Sequence, residues 1–224
     1  MLDTVIFDMD GLMFDTERLN QMIYLQTYQE KGYPMTEAVF NKTIGEGREG
    51  TFRVFSEAFG AEFTTDTYRT IQAEIKERTL AYAKERPIPK MKGLDEILDY
   101  LRNKGYRMGV CTTSATDHAK AFLTNTDKLA YFAAVVGGDM VERSKPFPDL
   151  YLKALEALGV SAGQCIALED SNNGVLSADG AGIRVIMIPD ILPPIKKVTE
   201  TYYTKVDSLL DVPPILEALQ AEDA

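Results

Sequence analysis

Thr4-Val5-Ile6-Phe7-Asp8-Met9-Asp10-Gly11 is the stretch on which the reading of this chain turns. Thr4–Phe7 is β-branched and apolar, the composition of a buried strand, and two carboxylates follow with one residue between them. Alternation along a strand sends Asp8 and Asp10 to opposite faces. They converge on one substrate only if the chain leaves the strand at Met9, and Gly11 permits that departure. In that arrangement the pair suits a Mg²⁺ site where one acid attacks and the other moves protons. The competing interpretation is a strand ending in a solvated acidic turn, so the partners downstream decide.

Further short apolar runs recur at Arg107–Thr112, Ala133–Gly137, Cys165–Glu169 and Val185–Ile188. Helical patterns lie between or after them at Leu94–Lys104, Asp117–Asn125, Asp149–Leu158 and Asn173–Ala181, and Gly105, Gly159 and Gly182 stand at helix ends. The alternation predicts an α/β fold, a doubly wound parallel sheet with helices on both faces. Ligands in such folds bind beyond the carboxyl ends of the strands. Asp8, Thr112 and Glu169-Asp170 all stand there.

From Thr16 to Arg86 the alternation stops. Helical patterns at Thr16–Lys31, Thr36–Ile44, Arg48–Phe59 and Asp66–Arg86 follow one another, the last stopped by Pro87 and Pro89. Roughly seventy helical residues exceed what one crossover helix needs, so the expectation is an inserted α-helical bundle. The expected division is core at 1–14, helical cap at 15–88 and core again at 89–224. Pro193–Ala224, with an amphipathic stretch at Ile215–Gln220, is expected to complete the core.

The 224 residues carry a formal net charge of −10 and no basic run, which argues against a nucleic-acid partner. An anionic substrate must then be held by local cations or a metal against an unfavourable field. Cys111 and Cys165 lie in strand-like runs without metal-type spacing and are expected as buried free thiols. The acidic start and the lack of a long apolar run argue against a signal peptide and a membrane span. A monomeric cytoplasmic protein is expected.

Thr112, with Thr113 and Ser114 behind it, offers hydroxyls and backbone amides for phosphate oxygens; capping of the next helix is the plainer alternative. Lys145, in Ser144-Lys145-Pro146-Phe147-Pro148-Asp149, is a lysine whose flanking prolines lower the cost of aiming it. Glu169-Asp170 supplies hard metal ligands after a buried strand, unless Asp170 or Ser171 merely caps the helix.

Taken together, Asp8-x-Asp10-Gly11, Thr112, Lys145-Pro146-x-Pro148-Asp149 and Glu169-Asp170-Ser171-x-x-Gly174 resemble the four motifs of the haloacid dehalogenase superfamily. The helical insert after the first motif resembles the branch containing β-phosphoglucomutase, phosphoglycolate phosphatase and the sugar-phosphate and pseudouridine-5′-phosphate phosphatases. The resemblance implies an Asp8 nucleophile forming an aspartyl-phosphate and an Asp10 general acid and base. It also implies Mg²⁺ held by Asp8, the Asp10 backbone carbonyl and Asp170, with Glu169 behind them or ligating through water. Lys145 and Thr112 would stabilise the transferring phosphoryl group. Dehalogenases of the superfamily lack an acid where Asp10 stands, so a small phosphorylated metabolite is the implied substrate. β-Phosphoglucomutases carry a histidine where this chain has Asn20, which favours water as phosphoryl acceptor and leaves a phosphomutase as the alternative.

Gly45-Glu46-Gly47-Arg48-Glu49-Gly50 matches a dinucleotide fingerprint in spacing alone, because a helical pattern precedes it instead of a strand. In β-phosphoglucomutase-like proteins this loop faces the core site, so the resemblance makes Arg48 the candidate for a substrate's distal anionic group; Lys76 reads as solvated. His118 is the single histidine, too few for a histidine-based hydrolase to be favoured, and a surface position is expected for it.

Overall fold

The computed structural model describes residues 2–44, 46–86 and 88–222. Two compact units form, Met1–Asp15 with Ile88–Ala224 and Thr16–Pro87. Along the chain β1 (Thr4–Phe7) precedes α1 (Thr16–Glu30), α2 (Glu37–Asn41), α3 (Arg48–Phe59) and α4 (Thr65–Glu85). Then come α5 (Leu94–Asn103), β2 (Arg107–Cys111), α6 (Thr116–Asn125), β3 (Ala134–Val136) and α7 (Asp149–Leu158). The chain continues through β4 (Cys165–Glu169), α8 (Asn172–Gly180), β5 (Arg184–Met187), α9 (Lys196–Thr199), β6 (Thr204–Lys205) and α10 (Val212–Glu222).

The larger unit is built on a six-stranded parallel sheet in the order β3-β2-β1-β4-β5-β6. Every residue of β1 and β4 is buried, as strands flanked by neighbours and covered on both faces must be. Alternate residues sort to opposite faces. Ile6, Cys111, Ala167, Val185 and Met187 join one apolar cluster with Leu150, Tyr151 and Ala154 of α7 and Val175 and Ala178 of α8. The fold is thus the α/β doubly wound arrangement expected. β6, only two residues long, was not foreseen; a strand so short carries no alternation to detect.

The smaller unit is all-helical and is held by rings. Tyr28 lies at its centre, with Tyr24, Tyr33, Phe55, Phe59 and Phe63 at centroid distances of 5.0–6.2 Å. Gln72 threads this cluster, accepting from the Tyr24 hydroxyl at 2.7 Å and donating to that of Tyr28 at 3.4 Å. Burial pushes Tyr24 up to about 12 and Tyr28 higher still, so both hydroxyls stay protonated. The helix expected over Thr36–Ile44 is shorter, Glu37–Asn41. Thr43 Oγ1 donates to the Phe40 carbonyl at 2.7 Å, a local side-chain bond that competes with further helix. Gly45 of the glycine-containing loop lies outside the described residues.

Candidate active site

Strand register assembles the site. Phe7 pairs with Val110 on one side and with Leu168 on the other, so one residue further along, Asp8 stands level with Cys111 and Glu169. The Asp8 N–H donates to the Leu168 carbonyl at 3.0 Å and keeps that level. Asp8 and Glu169 therefore emerge at the carboxyl edge of adjacent strands, with α7 and α8 packed on their side of the sheet.

Lys145 connects all three strand ends. Its Nζ donates to Asp8 Oδ1 at 2.5 Å, to Glu169 Oε1 at 2.5 Å and to the Cys111 carbonyl at 3.1 Å. Its side chain is 4% exposed, and that of Glu169 not at all. The loop delivering it contains a cis Lys145–Pro146 bond. Glu169 Oε1 also accepts from the Tyr151 hydroxyl of α7 at 2.6 Å.

Asp10 is held separately. Its Oδ2 accepts from Thr112 Oγ1 at 3.0 Å and from Ser114 Oγ at 2.9 Å. The chain leaves the sheet as anticipated: β1 ends at Phe7, and the N–H groups of Met13 and Phe14 both donate to the Met9 carbonyl. Gly11 has φ +83°, and a Cβ there would lie 2.5 Å from Asp170 Oδ2. Glycine is thus required for conformation and for space. Ser171, not Asp170, caps α8, accepting from the Gly174 N–H at 3.0 Å. Asp170 is left to face the other acids.

Carboxylate oxygens of Asp8, Glu169 and Asp170 all lie within 4.8 Å of one another. Burial raises Asp8 to about 8; the Lys145 charge opposes this, while the charges of Glu169 and Asp10 add to it. Burial, then Asp8 and Glu169, raise Asp170 well above the carboxylate range. Burial alone would lower Lys145, but the attraction of Asp8 and Glu169 prevails and holds it well above its ordinary value. Tyr151 is pushed well up, by burial first. Ionised together, the three carboxylates against one ammonium would leave two negative charges in a poorly solvated space. One divalent cation would cancel them, and the oxygen-only donor set suits a hard ion.

The model of the haloacid dehalogenase-like hydrolase family matches residues 5–188. The chain belongs to that family. It is 31% identical over 186 residues to the phosphorylated carbohydrates phosphatase of Thermotoga maritima, covering 83% of this chain and 84% of that one. The crystal structure of CbbY from Rhodobacter sphaeroides with phosphate superposes with TM-score 0.82 at 25% identity, covering 95% of this chain and 97% of the other. A mutant of CbbY with xylulose 1,5-bisphosphate gives 0.81 at 25% identity over the same shares.

Within this haloacid dehalogenase-like hydrolase the remaining candidates are placed differently. Thr113 is exposed. The Ser114 N–H, considered for phosphate, donates to Thr112 Oγ1 at 3.0 Å. Arg48 is exposed at the start of α3 in the helical unit, where its carbonyl accepts from the Tyr68 hydroxyl at 3.4 Å. Asn20 lies on α1, and Lys76 is exposed on α4. His118 is half-buried rather than superficial, its ring edge-on to Phe122 at 4.4 Å. Cys111 and Cys165 are buried and free. Among the described residues no helix is long and apolar enough to cross a membrane. Sequence reasoning missed Tyr151, whose signal was a hydroxyl-bearing residue on the apolar stripe of α7.

Proposed function

We propose that this chain is a phosphatase of small phosphorylated metabolites, phosphorylated sugars first among them, working through an aspartyl-phosphate on Asp8 with Mg²⁺. The observation that carries this reading is the division of labour between two acids. Asp8 is drawn to the lysine and the acid cluster, whereas Asp10 is tied to two hydroxyls. Asp8 attacks phosphorus in line, forming an acyl phosphate as the bond to the departing alkoxide oxygen breaks. Both hydroxyls bind Oδ2 of Asp10, which leaves Oδ1 to carry the proton given to that oxygen. Asp10 then takes a proton from the water that hydrolyses the intermediate. Lys145 stabilises charge on the phosphoryl oxygens. Thr112 and Ser114 keep Asp10 aimed, an addition to the phosphate contact expected of Thr112. Asp8, Asp170 and the Asp10 carbonyl would hold Mg²⁺, with Glu169 behind them, and the ion would offset repulsion between carboxylate and phosphate.

The sugar class is supported by the phosphorylated carbohydrates phosphatase of Thermotoga maritima and by the bisphosphate in the CbbY complex. We assign the choice of substrate to the helical unit as a cap, with Arg48 as its cation for a distal anionic group. A monomeric cytoplasmic enzyme, without nucleic-acid or membrane partner, is the setting this takes. Phosphate release should be measured across sugar phosphates and nucleoside monophosphates, with Mg²⁺ and with a chelator. Chelator-sensitive turnover of some panel members is expected; no release, or release indifferent to chelation, contradicts the reading. β-Glucose 1-phosphate with a bisphosphate primer tests the mutase alternative, for which glucose 6-phosphate would appear without net phosphate.

A further inference from the structure

The two oxygens of Glu169 are not equivalent. Oε1 accepts two strong bonds, from Lys145 Nζ at 2.5 Å and from the Tyr151 hydroxyl at 2.6 Å. Among the described residues Oε2 has only a long contact, 3.5 Å from Ser171 Oγ, and that hydroxyl is already engaged as the cap of α8. A carboxylate oxygen has about two lone-pair sites, so Oε1 is filled. Tyr151 is itself fixed: it is fully buried in the cluster shared by α7 and α8, and the Lys145 ammonium stands 5.2 Å from its ring centroid. The hydroxyl therefore cannot swing away without unpacking the ring. Gly174 backs the whole carboxyl group, since a Cβ there would lie 1.8 Å from Oε2 and 2.3 Å from Oε1.

We propose that Tyr151 is a positioning residue that restricts Glu169 to at most one oxygen for a bound divalent cation. The consequence is selection by ion size. Mg²⁺ takes single oxygens in a tight octahedron, whereas Ca²⁺ takes six to eight ligands and readily uses both oxygens of a carboxylate. By occupying Oε1, the Tyr151 hydroxyl and Lys145 deny Ca²⁺ the bidentate grip on Glu169, which Mg²⁺, held by Asp8 and Asp170 with Glu169 behind them, does not need. Without the hydroxyl, Oε1 keeps a lone pair that a larger ion can use. The proposal rests on the acid cluster as a divalent-cation site and is independent of which phosphate ester is cleaved.

The test is calorimetric titration of wild-type protein and Tyr151→Phe with MgCl₂ and with CaCl₂, each without substrate. The ratio of Ca²⁺ to Mg²⁺ affinity should rise by about 10-fold in the variant, the scale on which outer-shell partners act. On a sugar phosphate the variant should lose kcat with KM kept. A merely structural loss would lower both affinities together and leave the ratio unchanged, which overturns the proposal. Tyr151→Met, smaller and more adaptable but also without the hydroxyl, serves if the phenylalanine variant does not fold. Wild-type protein that binds neither cation overturns the metal site itself, a different failure from an unchanged ratio.

Discussion

Asp10 and Asp8 have the same side chain two positions apart, and their neighbours give them different work. Asp8 stands at the level where three strand ends converge on Lys145. Asp10, past the end of β1, accepts from Thr112 and Ser114. Asp10→Asn should lower kcat on a sugar phosphate by roughly 10²–10⁴-fold, the usual worth of general acid catalysis, with little change in KM. On p-nitrophenyl phosphate, whose leaving group needs no proton, the first step should be spared. Burst kinetics on the two substrates checks this. Asp8, Glu169 and Asp170 could be singled out because they end or directly follow recognisable strands, Asp10 because it follows Asp8 by two positions, and Lys145 because Pro146 and Pro148 come straight after it. Tyr151 was not. It falls on the same spacing as Leu150, Ala154 and Leu158 in α7, and an apolar stripe does not reveal which of its members turns a hydroxyl toward a buried acid.

At the scale of elements, strands covered on both faces announce themselves as unbroken apolar runs, and β1 to β5 appeared within one or two residues of expectation. Edges are less legible, because β6 has two residues and α2 is cut short by a threonine bond. The ring cluster of the helical unit was hidden for another reason. Its aromatic residues come from several helices and the connections between them, and no single window holds them. Phe55 is fully buried there, 5.0 Å from Tyr28 and 5.7 Å from Phe59. Phe55→Ala should cost about 3–5 kcal/mol of that unit's stability. Hydrogen exchange resolved by residue should report the loss across Thr16–Glu85 and leave protection of β1 and β4 nearly unchanged.

Over the whole molecule, a chain of net charge −10 gathers three more-or-less buried acids around one lysine, and its stability should register that. Asp8 is raised from 3.8 to about 8, so the folded protein keeps a proton that the unfolded chain releases. Stability of the metal-free protein should therefore fall as pH rises across that window. A cation that binds the ionised site reverses the loss, and the increase in Tm on adding excess Mg²⁺ should be larger at pH 8.5 than at pH 5.5. Thermal melts at both values with and without the ion provide the check. The central claim is that Asp8 becomes phosphorylated. Acid-quenched single turnover of a sugar phosphate, followed by borohydride reduction and peptide mass spectrometry, reads it directly. The account predicts homoserine at position 8 in wild-type protein, and in Asp8→Asn no trapped species and turnover down by roughly 10⁴-fold or more. Label on another residue, or turnover that survives in Asp8→Asn, would contradict it.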